Sequence, residues 1–60
     1  MWLTDLHKAT DILLDRGYND LVIKRVCAGG NGILAIFYTT YHTKLIVYEN
    51  GLITEYEVEE

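Results

Sequence analysis

The sequence contains no proline, a single cysteine, and only five basic residues among sixty. Cys27 has no second cysteine to close a disulfide, which sets aside the stapled secreted scaffolds and favours a reducing, cytoplasmic setting. Long hydrophobic runs are missing too. The longest uncharged apolar stretch, residues 33–38, falls far short of the ~18 residues that read as a membrane span. Met1-Trp2-Leu3-Thr4-Asp5 lacks a basic n-region, so no secretory leader is expected. His7 and His42 have no further His or Cys at ligand spacing, so no metal site is expected. Neither imidazole can be placed beside Cys27 as a base, so we expect no enzyme, no catalytic residue and no cofactor.

Half of the residues are apolar, which argues for a folded chain. Size scaling gives a folded surface of roughly 4,000 Å² against roughly 10,000 Å² unfolded. Burial of the apolar part of that difference contributes on the order of 90 kcal/mol at ~25 cal/mol/Å². Ordering the chain costs about the same at ~1.5 kcal/mol per residue. One small domain over residues 1–60 is therefore expected, with little stability to spare and reason to use a partner surface.

Charge is uneven. Residues 1–48 hold all five bases against four aspartates, for +1, whereas residues 49–60 hold five glutamates and no base, for −5, which together give the net −4. Such an end repels duplex nucleic acid.

Residues 5–16 read as an amphipathic helix. Leu3, Leu6, Ala9, Leu13 and Leu14 share one face with Ile12 at its border, Thr4 suits the N-cap, and Gly17 suits the left-handed C′ position. Beyond Asn19 the texture turns β-branched and aromatic, with strands expected over residues 20–28, 33–41, 44–49 and 52–59. Short connections at 29–32, His42-Thr43 and Asn50-Gly51 force antiparallel neighbours. The expected class is α+β, an N-terminal helix packed on a four-stranded antiparallel β-meander.

A type I′ turn at Asn50-Gly51 sets Val47 opposite Thr54 and Leu45 opposite Tyr56. A two-residue turn at His42-Thr43 then joins Leu45 and Val47 to Tyr38, Ile36, Leu34, Leu21, Ile23 and Cys27 under the helix. A three-residue turn would exchange the faces of the first two strands. On the two-residue register the uncovered face carries Val22, Val26, Ala35, Phe37, Tyr41, Ile46, Tyr48 and Ile53, diluted by Lys24, Thr39, Lys44, Glu55 and Glu57. A chain with one helix cannot cover both sides of such a sheet. Self-association, with a dimer favoured, or docking on another protein is the expected remedy.

Five tyrosines in sixty residues suit a protein interface, where the ring covers area at small entropic cost. Two alternatives remain open. The run of carboxylates over residues 49–60 could imitate a phosphate backbone, or the sheet aromatics could stack unpaired bases. A short, acidic, tyrosine-rich chain without catalytic motifs is also similar in style to small bacteriophage accessory proteins. That resemblance implies a regulatory role in which a host protein is bound or inhibited.

Overall fold

The computed structural model describes residues 2–58, Trp2 through its backbone only. One helix, α1 (Trp2–Asp15), precedes strands β1 (Ile23–Cys27), β2 (Ile33–Thr39), β3 (Thr43–Tyr48) and β4 (Ile53–Glu57). The strands form one antiparallel sheet in the order β1-β2-β3-β4, and α1 lies over β2 and β3. This is the α+β helix-on-meander arrangement. The surface of 4295 Å² agrees with the size scaling.

α1 begins earlier than its capping signals suggest, so Thr4 lies inside the first turns and is not the N-cap. Its C-terminus ends as glycine there requires. Gly17 takes φ +92°, Tyr18 N–H donates to the Leu13 carbonyl at 2.9 Å, and Gly17 N–H donates to the Leu14 carbonyl at 3.1 Å. That pair of bonds is a Schellman motif, and Leu13 and Tyr18 pack into the core beside it. The buried stripe runs through Ala9 and Leu13 with Leu6 and Ile12 flanking it, whereas Leu3 and Leu14 point outward.

The turns correct the expected register. Asn50-Gly51 is not a type I′ turn. Gly51 N–H donates to the Tyr48 carbonyl at 3.0 Å and Tyr48 N–H to the Leu52 carbonyl at 2.8 Å, and only Gly51 has positive φ. The connection is a three-residue loop, a type I turn closed by a left-handed residue. Asn50 holds its place by accepting the Leu52 N–H on Oδ1 at 3.0 Å. The β2–β3 connection also has three residues, 40–42, with His42 in the left-handed region at φ +59°. The type I′ geometry occurs at Asn31-Gly32, where both φ values are positive and Gly30 and Ile33 exchange backbone hydrogen bonds.

Each odd loop shifts pairing by one residue and turns side chains over. Val47 faces Ile53 and Leu45 faces Glu55, while Phe37 pairs with Leu45 and Ala35 with Val47. The helix therefore covers Ala35, Phe37, Leu45 and Val47, which with Ala9, Leu13 and Leu34 make the buried core. Ile36, Tyr38 and Cys27, expected under the helix, stand on the opposite side. Phe37 and Ile53, expected on the uncovered face, belong to or pack against the core.

Two bulges complete the sheet. Leu34 is the extra residue of β2 and reaches the core beside Ala35, and Lys24 is the extra residue of β1. Without the second bulge Ile23 and Arg25 would share a face. With it, Ile23 pairs with Thr39 on the helix side and Arg25 pairs with Tyr38 on the other.

Candidate binding face

The side of the sheet away from α1 is ordered in rows across the strands. Arg25, Tyr38, Lys44 and Tyr56 are consecutive cross-strand neighbours from β1 to β4. Cation and ring alternate along this row, and they touch. The Arg25 guanidinium stands 4.6 Å from the Tyr38 ring centre, and the Lys44 ammonium 5.8 Å from that of Tyr56. The next row is Cys27, Ile36, Ile46 and Thr54. Beyond it Tyr48 closes the face near the β3–β4 loop.

The middle row is partly shielded by the chain itself. Ile46 is only 9% exposed although no helix lies over it, and Ile36, Cys27 and Tyr48 are half-buried. Long amphipathic side chains are able to cover apolar neighbours on an open sheet face in this way. That burial leaves one polar group unsatisfied. Thr54 Oγ1 is buried and has no hydrogen-bond partner among the described residues, an arrangement that costs roughly 1–3 kcal/mol.

Of the residues expected to form the contact surface, Ile46 and Tyr48 lie on this face. Tyr41 sits in the β2–β3 loop with 66% of its surface exposed. Glu55 and Glu57 stand on the helix side, in register with Leu45 and Thr43. Glu55 accepts a hydrogen bond from the Tyr18 hydroxyl at 3.2 Å. Desolvation, that hydrogen bond and the adjacent carboxylate charge raise the Tyr18 pKa above its ordinary value, and Arg16 works against them. The odd loops therefore separate the carboxylates of β4 from the cations of the helix-free side. Sequence reasoning missed the row of Arg25, Tyr38, Lys44 and Tyr56 because its alignment depends on those loops.

Among the described residues, no group of three or more His, Cys, Asp or Glu converges on a possible metal position. No helix among them is long and apolar enough to cross a membrane. Glu59 and Glu60, part of the acidic segment singled out as a phosphate mimic, lie outside the described residues. No family model, curated protein or solved structure matches the chain.

Proposed function

We propose that the domain is a non-catalytic, cytoplasmic interaction module that pairs with a second copy of itself, helix-free face against helix-free face. The observation that carries this reading is the row of Cys27, Ile36, Ile46 and Thr54, over which none of the described helices and strands is laid from that side. The distribution of charge selects the geometry. Both cations lie in one row at one end of the face. A two-fold axis running along the middle row sets Arg25 and Lys44 of each copy over the Tyr48 end of the other, and it separates the two cationic rows. An axis along the strands would gather both cationic rows, four positive charges, at one end of the dimer.

The two larger molecular extents, 29 and 22 Å, limit a flat face to roughly 640 Å². Two copies then bury on the order of 1,300 Å², near the lower end of the range for specific interfaces. Light scattering across a dilution series tests the proposal. Concentration-dependent dimerisation is expected, weakened about tenfold or more by Tyr48→Lys, which sets like charges together. A strict monomer at millimolar protein, or a dimer indifferent to Tyr48→Lys, refutes it.

A second reading rests on the row of Arg25, Tyr38, Lys44 and Tyr56, where cations and rings alternate on a face away from Glu55 and Glu57. Rings and cations in one surface suit a short single-stranded nucleic acid. A labelled oligonucleotide that shows no mobility shift at low salt and micromolar protein removes this alternative.

A further inference from the structure

β4 is the last strand of the sheet and, among the described residues, has a strand neighbour on one side only. Two hydrogen bonds fix which of its backbone groups that neighbour uses. The Leu52 carbonyl accepts the Tyr48 N–H at 2.8 Å, and the Val58 N–H donates to the His42 carbonyl at 2.7 Å. In an antiparallel pair, residues alternate between exchanging both bonds with the partner strand and pointing both groups away from it. Leu52, Thr54, Tyr56 and Val58 therefore turn to β3, and Ile53, Glu55 and Glu57 turn their N–H and C=O groups to the open edge. The ladder behind them runs unbroken, from Glu57 opposite Thr43 to Ile53 opposite Val47. The other edge is different, because the bulge at Lys24 interrupts the ladder of β1.

The same three residues carry the charge of this edge. Glu55 and Glu57 are exposed, and the residues directly across from them in β3 are Leu45 and Thr43, neither of which is a cation. The Tyr18 hydroxyl that donates to Glu55 at 3.2 Å is a neutral group and leaves the carboxylate charge in place. Two β4 edges brought together would set carboxylate near carboxylate, so the edge is protected against pairing with its own kind. A strand with basic residues at the matching positions meets the opposite situation, since unlike charges directly across a ladder attract.

We propose that the β4 edge takes an extended segment of another protein as a fifth, antiparallel strand, and that this segment reads basic, any, basic, any, apolar. The order follows from the pairing. The basic residues oppose Glu57 and Glu55, and the apolar residue opposes Ile53, which packs against the core. The two residues between them fall beside Tyr56 and Thr54 on the helix-free side. The sequence holds no such segment for a second copy to offer. Its five basic residues are Lys8, Arg16, Lys24, Arg25 and Lys44, and no two of them stand two positions apart. The partner is therefore a different protein, and the net charge of −4 favours the approach of a basic one. The glutamates lie on the helix side, away from the row used in self-pairing, so either proposal can fail alone.

The test adds the peptide acetyl-Ser-Lys-Thr-Lys-Val-Ile-Ser-amide to the isotope-labelled full chain, with backbone amide shifts and hydrogen exchange as readouts. Saturable shifts centred on residues 53–57 are expected, with a Kd of roughly 0.1–1 mM at low salt. The outward amides of Ile53, Glu55 and Glu57 should exchange more slowly in the complex, while those of Thr54 and Tyr56 change little. Glu55→Gln combined with Glu57→Gln alters two exposed side chains, so the fold persists while the Kd rises about tenfold or more. The permuted peptide acetyl-Ser-Lys-Lys-Thr-Val-Ile-Ser-amide has the same charge without the alternation and should bind several-fold more weakly. Absence of saturable shifts means carboxylates that only keep the edge soluble, and it overturns the proposal. Equal binding of the permuted peptide, equal binding by the double variant, or slowed exchange along β1 instead of β4 does so too. Protection of the β4 amides that grows with protein concentration in peptide-free samples would assign the edge to a second copy, and likewise overturns it.

Discussion

Replacing Phe37 and Ile36 by alanine, one at a time, separates the two possible faces of β2. Phe37 is 4% exposed and packs between α1 and Leu45, whereas Ile36 is half-buried on the opposite side. Truncating a buried phenylalanine costs about 3–5 kcal/mol once the cavity term is included. Removing the partly exposed Ile36 side chain costs about 1–2 kcal/mol, because much of its surface is already wet. A domain of this length has roughly 3–9 kcal/mol in total, so Phe37→Ala brings the chain close to unfolding at room temperature. Phe37→Leu, with an expected cost of about 1 kcal/mol, keeps the comparison measurable. At ~4–8 °C per kcal/mol the alanine variants should differ in Tm by about 4 °C or more. The assay is thermal and urea unfolding followed by circular dichroism, at dilutions where the protein is monomeric. If Ile36→Ala proves as damaging as Phe37→Ala, the three-residue β2–β3 loop and the face assignment built on it are wrong.

Three other perturbations follow from the same coordinates. Thr54→Val removes a buried hydroxyl that lacks a partner and keeps the side-chain shape, so it should stabilise the monomer by about 1 kcal/mol, read as a rise of ~4–8 °C in Tm. The Tyr18 pKa is raised in the folded state, so its contribution is complete below the ordinary tyrosine value and is lost as pH climbs through the raised one. Tyr18→Phe should therefore flatten the fall of stability above about pH 10, as seen in urea midpoints, and an unchanged alkaline slope would contradict the burial of the Tyr18 hydroxyl together with its Glu55 hydrogen bond. At Gly29 a β-carbon would collide with the Ile33 side chain, so Gly29→Ala should cost about 1–3 kcal/mol. Pairing it with Ile33→Ala should cost less than the two single changes added together, measured in the same unfolding assay.

The helix, the four strands and their order were legible because each rests on a local signal: a 3.6-residue apolar period over Leu6, Ala9 and Leu13, a glycine at the C′ position, and Asn-Gly pairs between β-rich runs. The faces were not legible, because parity depends on whether a loop has two residues or three. The two Asn-Gly pairs are alike in sequence, yet Asn31-Gly32 forms a type I′ turn whereas Asn50 stays at negative φ and accepts the Leu52 N–H. His42 gives no glycine-like warning that it takes the left-handed position. The bulges at Lys24 and Leu34 leave no mark on a period-two pattern either. One consequence concerns the binding face directly. The two-residue turns predict Glu55 and Glu57 across from Ile46 and Lys44, and the observed register puts Thr54 and Tyr56 there instead.

The central claim is that two copies meet across the row containing Ile36 and Ile46, on the side that α1 leaves bare. Isotope-filtered nuclear Overhauser spectroscopy on an equal mixture of carbon-13-labelled and unlabelled chains observes that contact without altering any residue. The account predicts intermolecular cross-peaks from the Ile36 and Ile46 methyl groups, with Tyr48 ring protons of one copy near the Lys44 methylenes of the other. Cross-peaks confined to the exposed Leu14 and Ile23 beside α1, or no intermolecular peaks at millimolar protein, would contradict it.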